Sequence, residues 1–265
     1  MNKTKILAFI ALAAMLSACG SNDGSPPELV NSHDDVSPLD TLWVKFNSNL
    51  ADINDDSNII LNQGKRVKTV GKVLGFVGTK LTPGGLPYFD EGIKDSIVFK
   101  DIKNTDGYTK ERTVFYFSTY PILDKEPNGK DSVAGNIDSL GDIRAREIKF
   151  AGVLDHNIGT TVDGDVYDME DNYTLKLKAA DNVSITVVTR EALSITVKGP
   201  KGITDKTFQA AKGKNNPFSY IVSADYLIAD TTLNAGILVP FYIKVSDNAT
   251  TSPPNPYTIS IKVAK

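Results

Sequence analysis

The chain of 265 residues holds one cysteine, Cys19, one tryptophan, Trp43, and two histidines, His33 and His156. A lone thiol cannot close a disulfide within the chain, so any exported domain here stands on its core alone. Two histidines in separate contexts, with no spare cysteine, do not make a usual zinc set. There is no Gly-x-Ser-x-Gly elbow, no Cys–His pair and no phosphate-cradling glycine loop. Paired carboxylates for glycoside cleavage need substrate-gripping aromatics, and one Trp does not supply them. No window carries a sustained helical period with caps. Beyond residue 18 no apolar run is long enough to cross a bilayer as a helix. With no nucleophile, base or metal set to name, the expectation is a protein that binds without catalysing.

The longest apolar run lies at the start. Lys3 and Lys5 precede Ile6 to Leu16, and Leu16-Ser17-Ala18-Cys19 gives way at once to polar residues from Gly20 to Gly24. A charged start, a short apolar core and small residues at a cut site describe a secretory signal. The last four residues resemble a bacterial lipobox. That resemblance implies a signal peptide over 1–18 and a diacylglycerol on the Cys19 thiol, and so a membrane contact through lipid alone. Stable anchoring takes more than one acyl chain, as a mature lipoprotein has. The alternative is an ordinary secretion signal with an incidental cysteine. Gly20 after the lipidated residue implies sorting to the outer membrane, facing either the periplasm or the outside. The 29 basic side chains less Lys3 and Lys5 leave 27 against 32 acidic ones, a mature net charge of −5. Nucleic acid needs a concentrated basic surface and is excluded as a partner.

Residues 19–36 are polar and proline-bearing, which predicts a flexible tether. Order is expected from Leu39, where Leu42, Val44 and Phe46 alternate with Trp43, Lys45 and Asn47 in the period of a half-buried strand. Short strands follow at Asn58–Leu61, Val67–Val77 (split at Gly71 or Gly75), Asp95–Phe99 and Thr113–Thr119. Asn104-Thr105-Asp106-Gly107 forms a hairpin-like turn. The stretch from Asp40 to Leu50 resembles the opening strand of bacterial Ig-like domains of the surface-layer type. Ile97 to Ile102, the Asp106-Gly107 turn and Phe115 to Thr119 resemble their closing strands. The resemblance covers 37–121 and implies a spacer or binding sandwich.

Residues 122–147 read as a linker or as the lead-in to a second domain over 148–265. There the alternation is cleaner: Tyr173, Leu175, Leu177; Val183, Ile185, Val187; Leu193, Ile195, Val197, with Ser, Thr and Lys between them. Phe218–Val222, Pro240–Val245 and Tyr257–Val263 complete the set. The fold class expected is therefore all-β, two tandem antiparallel β-sandwiches, the second of sandwich or jelly-roll form. Glu126-Pro127-Asn128 with Ala134, Gly152-Val153-Leu154, Asp168 to Leu175, Leu193 to Gly202 and the Tyr257-Thr258 strand resemble the bacterial pre-peptidase C-terminal domain. The Lys-rich insert between Gly202 and Phe218 and the Pro240-Phe241-Tyr242 run depart from its pattern. Some members of that family bind calcium, and the resemblance implies Glu126, Asn128, Asp168 and Asp171 as the ligands here. The five acidic residues Asp163, Asp165, Asp168, Glu170 and Asp171 crowd into nine positions, which suits an ion that takes six to eight oxygens or equally a solvated acidic loop.

Trp43 falls out of phase with its apolar neighbours. On the polar face of a sheet it is either a ligand-contacting platform or a ring packed under a loop or against the second domain. The function expected is a non-catalytic envelope lipoprotein used for binding, adhesion or spacing, with a polysaccharide or protein ligand. The alternative is an accessory subunit of a separately encoded secreted hydrolase.

Overall fold

Alternation of apolar and polar residues sets the strands of this chain, and Gly, Asn and Asp set the turns between them. The computed structural model describes residues 24–82, 84–123, 134–154, 170–200, 205–222, 238–247 and 254–264. Among these residues the only helical pieces are single turns at Asp55–Asn58 and Ile137–Leu140.

The first module is a two-layer sandwich. One sheet takes β1 (His33–Val36), β9 (Thr109–Thr119), β8 (Lys94–Lys103) and β3 (Ile59–Ile60) in that order. The other takes β2 (Leu42–Lys45), β5 (Val73–Gly78) and β4 (Gly64–Val70), and β6 (Lys80–Leu81) pairs with β7 (Pro87–Tyr88) as a small hairpin. Between the sheets lie Val44, Phe46, Phe76, Phe99, Phe115 and Phe117, each at most 1 % exposed. Phe46 meets Phe99 edge to face at 5.2 Å between ring centres, the arrangement that aromatic quadrupoles favour. The expected split of Val67–Val77 falls at Gly71. Val70 pairs with Val73, which leaves Gly71-Lys72 as a two-residue turn, and Gly71 has φ +57°, a left-handed value that glycine adopts without strain.

The sheet begins earlier than the sequence indicates. Leu29 bridges Phe46 and packs on the core, and His33–Val36 runs parallel to Tyr116–Thr119. The part of the expected tether from residue 24 to 36 is thus built into the module. A polar segment can do this at a sheet edge, where the backbone makes the ladder and one or two apolar residues, here Leu29 and Val36, reach the core.

The second module comprises β10 (Gly135–Asn136), β11 (Ile148–Leu154), β12 (Glu170–Leu177), β13 (Asn182–Thr189), β14 (Leu193–Lys198), β15 (Lys206–Ala210), β16 (Asn216–Ile221), β17 (Val239–Ser246) and β18 (Asn255–Ala264). Its sheets run β10-β12-β17-β14-β15 and β11-β18-β13-β16. The last eight strands of this order are wound as a jelly roll, two Greek keys folded over one another. Among the described strands, pairing is antiparallel except at the edges β1–β9 and β10–β12, which are parallel. Tyr173, Leu175, Ile185, Phe241, Ile243 and Ile259 fill the interior, and each contributes about 1.5–3 kcal/mol by leaving water.

Two stretches read as connecting segments are structural. In the linker 122–147, Ile137 and Ile143 are buried in the second core, and Arg144 reaches the buried carboxylate of Asp181. Within the Lys-rich insert, β15 closes a sheet edge, and Phe208 stacks against Phe218 at 4.8 Å.

The modules touch directly. Ile122 pairs in parallel with Ala151. The Ala151 N–H donates to the Pro121 carbonyl at 2.9 Å, and the Leu123 N–H donates to the Ala151 carbonyl at 3.2 Å. Leu39, Ala151 and Val153 form a small buried cluster, with Leu86, Tyr88 and Ile122 against it.

Candidate functional site

Ladder registry decides what the outer face of the second module presents. In β11, Ile148, Phe150 and Leu154 point inward, so Lys149, Ala151 and Val153 lie on the other face. Ala151 and Val153 are covered by the first module, and Lys149 is left at its margin. Across the same face Lys149 pairs with Ser260 and Ala151 with Thr258, while Ser260 pairs with Thr186 and Thr258 with Val188. The result is a floor of hydroxyls and one exposed valine beside the junction.

A wall rises from the first module. Asp35 and Val36 end β1, and Ser37, Asp40 and Thr41 follow, with Tyr120 just beyond β9. Floor and wall enclose a cleft of about 450 Å³, with Glu147 and Asn215 also on its lining. Clefts at domain junctions are a common place for ligands.

Asp40 is exposed to solvent on the cleft wall, with protein packed around its carboxyl. That burial raises its carboxyl above the ordinary range, and Arg190 of the second module opposes the rise. Burial also raises the Tyr120 phenol, with Lys149 opposing. The Tyr120 hydroxyl donates to the Asp35 carbonyl at 3.1 Å. Lys149 lies 5.7 Å from the centre of the Tyr120 ring and 3.5 Å from Glu147.

The histidine, aspartate and serine that meet nearby do not form a nucleophile. The Asp35 carboxylate is 3.3 Å from His33 Nε2 and accepts the Ser118 hydroxyl. A triad places the imidazole against the hydroxyl and the carboxylate behind it. Here the carboxylate takes the hydroxyl.

Trp43 is half exposed and lies across Gly75, its cross-strand partner. The close approach of the ring to Gly75 gives the residue a packing role on its own sheet. Of the calcium set, Glu126, Asn128 and Asp168 lie outside the described residues, as does Cys19. Asp171 is fully buried and accepts a hydrogen bond from the Tyr257 hydroxyl. Among the described residues no three His, Cys, Asp or Glu side chains gather as a metal centre.

Asp40, Tyr120, Lys149, Thr186, Thr258 and Ser260 were not singled out by the sequence. Their one trace in it is the run of Ser, Thr and Lys at outward strand positions, which any solvated face shares.

No protein-family model matches the chain, and no curated protein matches it. Among solved structures it is similar to the pre-peptidase C-terminal domain of a collagenase from Bacillus anthracis, at 15% identity over 44% of this chain and 89% of that one, with a TM-score of 0.29. It is similar to PliG, a periplasmic inhibitor of g-type lysozyme from Aeromonas hydrophila, at 13% identity over 44% and 86%, with a TM-score of 0.27. It is also similar to the secreted serine protease VesC from Vibrio cholerae, at 12% identity over 96% of this chain and 54% of that one, with a TM-score of 0.28. At these scores the likenesses carry no argument, and the fold rests on the strand orders above.

Proposed function

We infer that this chain is a non-catalytic binding protein of the cell envelope, held at the outer membrane through lipid on Cys19, and that the cleft at the module junction receives its ligand. The observation that carries this reading is the cleft itself. Both modules line it, and the hydroxyl, carboxylate and imidazole at its margin stand in an order unsuited to nucleophilic attack. The strand order of the first module, with β1 beside β9 and β2-β5-β4 as the opposing sheet, supports an Ig-like arrangement. The jelly roll of the second accords with its resemblance to the pre-peptidase C-terminal domain.

The test uses the full chain and a Ser260→Trp variant, whose indole would fill the cleft. Binding to whole cells and to isolated envelope fractions is expected for the native protein and lost in the variant. Equal binding by both would remove the cleft from the function. Lipidation is tested by palmitate labelling, expected in the native chain and absent in Cys19→Ser. Calcium binding by Glu126, Asn128, Asp168 and Asp171 is tested by a thermal melt with calcium and with chelator. An unchanged midpoint with no bound calcium would remove it.

A further inference from the structure

Resting on the cleft as the binding site, we propose that its ligand is a short uncharged oligosaccharide, laid between the hydroxyl floor and the Asp35–Asp40 wall. The size fits. The cleft's volume of about 450 Å³ falls in the range of small-molecule sites, about 300–1,000 Å³, and the cleft is open to solvent rather than enclosed.

The floor fits as well. Thr186 faces Ser260 across the ladder and Val188 faces Thr258. Hydroxyls therefore recur about 5 Å apart across strands and about 7 Å apart along them. Each hydroxyl can both donate and accept, whereas the Asp40 and Glu147 carboxylates accept. That mixture complements the neighbouring hydroxyls of a sugar, which do both. A sugar also carries apolar C–H faces, and Val36, Val188 and Tyr120 offer apolar surface among the polar groups.

Charge selects within the sugars. Lys149 is the one cation among the described lining residues, and it is already shared between Glu147 and the Tyr120 ring. Among the described lining residues no free cation remains to receive a uronate or phosphate. The carboxylates are also already engaged: Asp35 by the Ser118 hydroxyl and His33 Nε2, Glu147 by Lys149, while Asp40 has Arg190 within electrostatic reach. An amine on the ligand would have to compete with these neighbours, so an uncharged chain is the match.

The experiment is an array of uncharged hexasaccharides of glucose, galactose, mannose and N-acetylglucosamine, with oligogalacturonate and chitosan hexamers beside them. Hits are measured by titration calorimetry on the full chain in a detergent without a sugar headgroup. At least one uncharged chain is expected to bind, and the acidic and amino chains to bind more weakly. Ser260→Trp and Thr186→Arg, on neighbouring strands, are each expected to weaken binding about tenfold or more with the melting midpoint kept. Preference for the acidic or amino chain, no uncharged binder, or binding unchanged in a folded variant would overturn the proposal. If Ser260→Trp abolishes whole-cell binding while no uncharged chain binds, the sugar assignment falls and the cleft stands. If whole-cell binding ignores Ser260→Trp, the cleft falls too.

Discussion

The hydroxyl oxygens of Tyr173 and Tyr257 lie 2.5 Å apart inside the second sandwich. Both rings are buried, and both hydroxyls crowd Gly152, where a Cβ would collide with them. The Tyr257 hydroxyl donates a hydrogen bond to the buried carboxylate of Asp171. A buried carboxylate needs such donors, because leaving water without them costs several kcal/mol. Tyr257→Phe keeps the ring and removes the donor. The expected loss is about 1.5–3 kcal/mol, read from urea denaturation. A loss no larger than that of an exposed-site control would show that Asp171 does not depend on Tyr257.

Asp40→Asn tests the electrostatics of the cleft. The folded-state pKa of Asp40 is raised, so the folded chain holds this proton more tightly than the unfolded chain. The native protein therefore has the benefit of the protonated form below the unfolded value near 3.8 and loses it as pH rises through the folded value. Asn cannot ionise. The variant is expected to melt higher than the native chain at neutral pH, with the gain disappearing toward acid. Melts across a pH series check this, and a variant less stable at neutral pH would contradict it.

Leu39 is 2 % exposed in the cluster that joins the modules. Leu39→Ala is expected to cost about 2–4 kcal/mol. If the joint couples the modules, calorimetry should show one transition for the native chain and two for the variant. Two transitions in the native chain would show that the joint does not couple them.

Trp43→Ala uncovers Gly75 on the first module's outer face. A loss of about 1–2 kcal/mol in denaturation, with ligand binding unchanged, is the expected result. A loss of binding with stability kept would restore the ring as a contact platform.

Strands with strict alternation were legible in the sequence. Tyr173-Leu175-Leu177 and Leu193-Ile195-Val197 could be placed because each has one face in the core and one in water, and the period of two records that. β1 was not legible, since His-Asp-Asp-Val carries a single apolar residue and its pairing is made by backbone atoms. β15 was hidden in the same way among lysines. Trp43 was legible as an oddity, but its neighbour Gly75 was not, because strand pairing supplies that contact. The cleft was the least legible feature. Asp40 and Thr258 are far apart in the chain, and only the docking of the modules brings them to one lining. Asp171 could be named, while its partner Tyr257 comes from the last strand, where it reads as an ordinary core aromatic.

The parallel pairing of β1 with β9 has a mechanical consequence. A pull between the N-terminal end and the second module drags β1 backward and β9 forward along the strand axis. The bridging hydrogen bonds then lie across the force and must yield together, as in shear, whereas an antiparallel pair loaded from one end opens bond by bond. The first module is thereby suited to bear tension between its N-terminal end and the second module.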